Sequence, residues 1–413
     1  MLKRTLAILI AALACAAPAA QAAEETGTLG AAPYRISVPE AWNGALVVLA
    51  HGYRDKADHP GEVDDRSPDG GFGALISGLN AAGYAVAASA YSDNGWAVKE
   101  AIQDLRNLAA YFRGAFGNPD RTLLVGFSLG SLPTLALAES ANGIFDGYLA
   151  ACAVAAGSPR AWDGGGASLL AYQAAFGTMP AAWGTPADGD DDVDFDTEVL
   201  PIIGAQLLNP LNFARFEFMR LVTGVPLSPS YYPFGLATNA FFFTEARAEL
   251  ERRAGGPVVQ NLTHTYSLGA ADRAYLTSVL GVPAAQVDAW LATMNATRFA
   301  APPSSRNYVE HYATFTGKLK GPVLTLHTVV DTLVPVQHEA AYAATVAAAG
   351  NDGLLRQVYT SGTSHCGFAG AQVPIAIGAL DAWVSTGVPP ASAAFPAALG
   401  FVPGFVPPPW PQP

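Results

Sequence analysis

A serine set between two glycines opens the chemical reading. Gly126-Phe127-Ser128-Leu129-Gly130 directly follows an apolar run, Arg121 to Phe127, and directly precedes a helical pattern, Ser131 to Ala141. In a strand–turn–helix setting, G-x-S-x-G describes a nucleophile elbow. Its turn is too tight for bulky flanking side chains, and it lifts the hydroxyl clear of the backbone at the start of a helix. A serine hydroxyl is a weak nucleophile at neutral pH and needs a base. Of the seven histidines, His365 is the candidate. It lies in Ser361-Gly362-Thr363-Ser364-His365-Cys366-Gly367, between the last apolar run and the last helical pattern, where open α/β sheets place their ligands. His51 belongs to another motif, His59 to a polar loop, and His264 and His311 to a long middle segment. His327 falls inside a strand pattern, and His338 follows Pro335 on a helical one.

The imidazole in turn needs an acid that fixes its tautomer and stabilises its charged form. Asp331 follows the strand pattern that ends at His327, which gives the chain order Ser, Asp, His. Its alternative role is to cap the helix starting near Pro335. Asp146 and Asp163, flanking the run Gly147 to Ala155, are the runner-up acids. His51-Gly52-Tyr53 follows the apolar run Leu46 to Ala50. A backbone N–H there, that of Tyr53, would pair with the N–H of Leu129 to hold an oxyanion, and Gly52 would let the main chain approach a substrate. His51 is expected to orient this loop rather than to move a proton.

These residues need a scaffold, and the apolar patterning supplies one. Short strand-like runs at Leu46–Ala50, Tyr84–Ala90, Arg121–Phe127 and Gly147–Ala155 alternate with helical patterns at Gly73–Ala82, Trp96–Phe112 and Ser131–Ala141. That alternation predicts a mostly parallel, doubly wound α/β sheet. The rhythm breaks over residues 159–318, which read as helices with proline-rich joints and dense aromatics. It resumes with strands at Pro322–His327 and Leu355–Tyr359 and a helix at Gln372–Val384.

Of the 413 residues, 22 are basic and 34 acidic, for a net charge of −12, so a phosphate backbone is an improbable partner. With 51% hydrophobic and 14% charged residues the chain is neither disordered nor a coiled coil. Lys3-Arg4, the apolar stretch Leu6–Ala17 and the small-x-small Ala20-Gln21-Ala22 predict a secretory signal at 1–22, and hence a secreted or periplasmic protein. A lipoprotein signal on Cys15 fits poorly after Ala12-Leu13-Ala14. Beyond this leader no apolar run is long enough to span a membrane. The expected layout is signal 1–22, core 23–158, helical insertion 159–318, core 319–400 and a proline-rich surface tail 401–413. Export implies an oxidising compartment. Cys152 and Cys366 are therefore either one disulfide or two buried free thiols.

Within the insertion, Phe213, Phe216, Phe218, Tyr231, Tyr232, Phe234 and Phe241-Phe242-Phe243 are expected to form its core, some of them lining an apolar pocket above Ser128. Trp96 and Tyr53 are the candidate substrate contacts. Asp188 to Asp196 alternates carboxylates, but the glycine of a calcium loop is missing, so a solvated acidic loop is expected. No His/Cys grouping points to zinc and no glycine-rich loop to phosphate. Neither metal nor cofactor is expected.

Together His51-Gly52-Tyr53, Gly126-Phe127-Ser128-Leu129-Gly130, Asp331 and His365, in that order on matching elements, resemble the α/β-hydrolase superfamily. Within it the chain is similar to exported bacterial esterases with a large cap between the sixth and seventh strands. The cysteine directly after the histidine also resembles the tannase and feruloyl esterase group. There it pairs with a cysteine directly before the nucleophile. Phe127 stands at that position, and a Cys152–Cys366 bridge would be the substitute. The resemblance implies Ser128, Asp331 and His365 as a triad, Tyr53 and Leu129 as oxyanion donors, and a small-molecule or polymer ester as substrate. The rival readings are a serine peptidase of the same fold, needing an amine anchor such as Glu217, Glu245 or Glu249, and a non-catalytic binding protein.

Overall fold

The computed structural model describes residues 22–140 and 143–410. The expected leader thus lies, but for Ala22, outside the described residues. Eight strands build one sheet. They are β1 (Ala23–Leu29), β2 (Ala32–Val38), β3 (Ala45–Ala50), β4 (Ala85–Ser89), β5 (Arg121–Phe127), β6 (Gly147–Ala151), β7 (Val323–Thr328) and β8 (Leu355–Thr360). Their spatial order is β1-β2-β4-β3-β5-β6-β7-β8. β1, β2 and β4 pair antiparallel, and every pair from β4 through β8 is parallel. The central strands are buried on both faces, which is why β3, β5 and β6 read as unbroken apolar runs rather than as alternations.

Helices α1 (Gly73–Ala81), α2 (Val98–Phe116) and α3 (Ser131–Glu139) make the early crossovers. α2 turns Val98, Ala101, Leu105, Leu108, Ala109 and Phe112 inward along one stripe. Between β6 and β7 come α4 (Ser158–Phe176), α5 (Leu200–Leu207), α6 (Phe213–Val222), α7 (Leu236–Phe243), α8 (Glu245–Ala254), α9 (Ala270–Ala274), α10 (Ala284–Ala296) and α11 (Pro303–Ala313). α12 (Gln337–Ala348) and α13 (Gln372–Thr386) follow β7 and β8. None of the described helices is long and apolar enough to cross a membrane.

Two apolar clusters sandwich the sheet. One joins Leu46, Val48 and Leu124 to α2, α3 and much of the insertion, including Val258, Trp290 and Met294. The other joins Val47, Leu123, Leu149 and Leu324 to α1 and α13. A third lies within the insertion around Trp183, Phe216 and Tyr231.

The structure differs from the sequence-based expectation at both ends of the chain. The hairpin β1–β2 is an addition to the expected strands, although Tyr34, Ile36 and Val38 alternate at strand period. The tail is not wholly on the surface: Phe401 is buried and bridges Thr360 at the end of β8. The strand pattern over Gly147–Ala155 also ends earlier, at Ala151, because Cys152 takes a left-handed backbone with φ 44°.

Candidate active site

β5 delivers Ser128 at its C-terminal end, with a left-handed φ of 53°. The turn tolerates only glycine on either side. A methyl group on Gly126 would sit 2.1 Å from the Gly130 carbonyl oxygen, and one on Gly130 would sit 2.3 Å from that of Ala50. Thr134 and Ser131 anchor the first turn of α3. The Thr134 hydroxyl donates to the Gly130 carbonyl at 2.8 Å, and Ser131 Oγ accepts from the Val154 N–H at 2.9 Å.

The loops after β7 and β8 complete a relay. The Ser128 hydroxyl donates to His365 Nε2 at 2.7 Å, and His365 Nδ1 lies 2.7 Å from Asp331 Oδ2. An ionised carboxylate only accepts, so the proton sits on Nδ1 and leaves Nε2 free to take the hydroxyl proton. Asp331 is fully buried, and its other oxygen accepts from the N–H groups of Leu333 and Val334 at 2.9 and 2.8 Å. Burial opposes its charge, yet His365, His327 and the Val334 N–H together hold its carboxyl below the ordinary 3.8. The alternative role as a helix cap is not the one realised: α12 begins at Gln337 without a side-chain cap, and Asp331 instead holds the loop N–H groups of Leu333 and Val334.

The runner-up acids are engaged elsewhere. Asp146 accepts from the Thr122 N–H, and Asp163 forms a two-pronged ion pair with Arg306 at 2.7 and 3.0 Å. The disulfide alternative is the one realised. Cys152, just past β6, is bonded to Cys366, with Cα atoms 5.1 Å apart. The histidine loop after β8 is thereby tied covalently to the end of β6, across the intervening β7.

Gly52 lies against the serine. A methyl group there would come 3.2 Å from Ser128 Cβ. This brings the main chain of the His51-Gly52-Tyr53 turn against Phe127 and Ser128. His51 stacks on Tyr91 at 3.9 Å, and the Tyr91 hydroxyl donates to the His51 carbonyl at 3.0 Å. Burial, with the Arg54 charge, pushes the His51 imidazole down to about 4, so it is neutral at neutral pH and serves the loop's shape. His327 is buried inside β7. His338 is also buried, its Nδ1 accepting from the Ala156 N–H, and burial pushes it down to about 3.

A cavity of about 90 Å³ opens at Ser128, walled by Tyr53, Trp96, Leu129, Trp162, Phe242, Phe243, Val334, Pro335 and Trp410 among others. Both predicted contacts, Trp96 and Tyr53, line it. Trp96 is held by an indole N–H to Ser158 Oγ bond of 3.0 Å and packs edge-on against Trp162. Tyr53 packs against Phe241 and Phe242, and its enclosed hydroxyl has no partner among the described residues. Of the insertion aromatics, Phe216, Phe218 and Tyr231 are core, whereas Phe234 is exposed. Sequence reasoning misses Trp162, Pro335 and Trp410. Trp162 could have been found from its helical spacing to Ser158, whereas Trp410 carries no signal beyond an aromatic ring among prolines.

The acidic run is a hydrogen-bonded loop. Asp194 Oδ1 caps the Thr197 N–H, Asp190 Oδ1 accepts from the Asp192 N–H, and Glu251 receives the Gly189 N–H. Elsewhere, His59, Glu62 and Glu245 bring potential ligand atoms within 4.8 Å of one another. The similar grouping of Cys152, His365 and Cys366 consists of the disulfide and the relay histidine.

No family model matches the chain, and no curated protein matches it. Among solved structures it is similar to a lipase in its open form, at 14% identity over 88% of this chain and 98% of that one, with a TM-score of 0.42. It is similar to feruloyl esterase B from Aspergillus oryzae at 16% identity, covering 89% and 80%, with a TM-score of 0.41. It is similar to tannin acyl hydrolase from Aspergillus niger at 13% identity, covering 88% and 77%, also with 0.41. At these scores the likeness assigns no activity to the chain. The α/β-hydrolase fold stands on the sheet order, the left-handed serine turn after β5 and the loops after β7 and β8.

Proposed function

We propose that the chain is an exported serine hydrolase that cleaves carboxylic esters with a hydrophobic acyl or aromatic part. The observation that carries this reading is the unbroken contact from the Ser128 hydroxyl through His365 to buried Asp331. Ser128 Oγ attacks the acyl carbonyl carbon while His365 Nε2 takes its proton. The carbonyl oxygen gains negative charge, which the N–H groups of Tyr53 and Leu129 stabilise. His365 returns the proton to the departing alkoxide, leaving Ser128 acylated. Water, deprotonated by the same nitrogen, then releases the acid and restores the hydroxyl. Asp331 keeps Nδ1 protonated and offsets the imidazolium charge.

Two features support esters over peptides. The cavity walls are mostly apolar and aromatic, with Ser168, Thr223, Gln337 and His338 as polar members and no Asp, Glu, Lys or Arg among the lining residues. The carboxylates able to hold a peptide amine are already bonded: Glu217 to Arg220 and Tyr232, Glu249 to Arg253 and the Trp96 N–H, and Glu245 to the Phe195 N–H. The helices between β6 and β7 act as a lid, since α4 and α7 contribute Trp162, Phe242 and Phe243 to the cavity.

The test is a panel of p-nitrophenyl esters run beside aminoacyl and prolyl anilides, on the parent protein and on Ser128→Ala. Ester turnover that vanishes in the variant while its melting temperature holds is expected. Faster anilide turnover overturns the ester assignment, and retained turnover in the variant moves the nucleophile elsewhere.

A further inference from the structure

The proline-rich tail is held along the edge of the site. Gln372 Nε2 donates to the Leu399 carbonyl and the Ser361 N–H to that of Gly400, both at 2.8 Å. Phe401 bridges Thr360, and the Val402 N–H donates to the Tyr359 carbonyl at 2.8 Å. The Phe405 ring packs on Tyr359 at 5.0 Å. The chain then crosses to α12, where Trp410 meets the His338 ring edge-on at 4.7 Å.

Trp410 faces two spaces. It lines the 90 Å³ cavity that contains Ser128. It also lines an open groove of about 680 Å³, together with Pro409, Arg160 and the small side chains Ala341, Ala344 and Ala348 of α12. The indole is thus a shared wall between the small cavity at Ser128 and a larger trough. A chamber of this size is far below the few hundred Å³ of a drug-sized ligand site. It takes a short acyl chain or one ring, and a longer chain meets the indole.

We infer that Trp410 sets the acyl-length limit of the enzyme, by closing the chamber at Ser128 against the groove beside α12. The inference rests on the ester-hydrolase reading and adds the substrate class: short-chain or single-ring acyl esters. Removing the wall joins the two spaces and lets a straight alkyl chain run over the alanines of α12. Each methylene that gains an apolar lining then contributes to binding at the reacting position.

The experiment compares full-length parent, Trp410→Ala, Trp410→Phe and Val406→Ala on p-nitrophenyl acetate through dodecanoate. Val406 is an 80% exposed residue of the same tail and serves as the control. In Trp410→Ala, the ratio of dodecanoate to butanoate kcat/KM is expected to rise at least about tenfold, mainly through KM. Trp410→Phe should fall between it and the parent, and Val406→Ala should match the parent. A second readout does not need turnover. Calorimetric binding of dodecanoate and butanoate anions to Ser128→Ala, with and without Trp410→Ala, should show the same shift toward the long chain. An unchanged chain-length profile and unchanged product binding, with the melt intact, overturn the inference. Absence of Ser128-dependent ester turnover in the parent removes the ester reading instead, and product binding still decides whether Trp410 is the wall.

Discussion

Replacing Asp331 with asparagine separates the relay from a merely well-packed cluster. One carboxylate oxygen receives two backbone N–H groups at 2.9 and 2.8 Å, and the other lies 2.7 Å from His365 Nδ1. Asparagine offers one acceptor and one donor. Keeping its oxygen on the Leu333 and Val334 N–H groups aims its NH₂ at His365. Nδ1 must then accept, the ring proton moves to Nε2, and Nε2 can no longer take the Ser128 proton. The opposite flip sets an NH₂ against two N–H donors in a fully buried site, which is worse. The first arrangement therefore wins, the fold is kept and the base is lost. In the reference triad this change lowers kcat by about 10⁴, or roughly 5 kcal/mol of barrier. Asp331→Asn should show a loss of that order on p-nitrophenyl butyrate with little change in melting temperature. A loss below tenfold refutes the tautomer argument, and neither Asp146 nor Asp163 is free to take the role.

Gly52→Ala should lower kcat about tenfold or more with a small change in melt, because the added methyl lies 3.2 Å from Ser128 Cβ and shifts the serine against its partners; parent-like kcat contradicts the close approach. Arg306→Met leaves buried Asp163 without its ion-pair partner and should cost about 3–5 kcal/mol in urea unfolding; a loss under about 1 kcal/mol means that Asp163 is satisfied otherwise. Titration of the denatured, unreduced chain lacking residues 1–22 should find no free thiol, and two thiols exclude the Cys152–Cys366 bond. Burial, with Glu62 and Asp55 adding, raises Glu245 from 4.5 to about 7. Between those values the folded chain keeps a proton that the unfolded chain releases. This contribution to stability is therefore full below pH 4.5 and is lost as pH rises to about 7. Glu245→Gln should flatten that part of the stability profile, and an unchanged slope rules the group out.

The chemistry was legible where backbone geometry restricts residue type. Gly126, Ser128 and Gly130 are fixed by contacts that admit no Cβ at the glycines, so the turn is visible in the residues themselves. Asp331 and His365 followed from their places after apolar runs. The central strands were legible because both of their faces are buried. The hairpin β1–β2 was obscured because β1 is largely exposed, so it lacks a continuous apolar pattern. The bridge between Cys152 and Cys366 is not legible from spacing, since it depends on the loop after β8 reaching the end of β6 across 214 residues. Trp410 is not legible in the sequence because its position depends on how the tail docks on β8, which no local periodicity records.

The strand order has a consequence for how the protein is made. β1 through β6 form one unbroken block of the sheet, and all of them lie within the first 151 residues. A nascent chain can therefore assemble six strands early, with the serine turn already in place. Its β6 border is apolar and stays open until β7 arrives, after the whole insertion. Unpaired borders of this kind recruit other chains. A product stopped within the insertion would be sticky, and on the proposed mechanism inert, because it lacks His365.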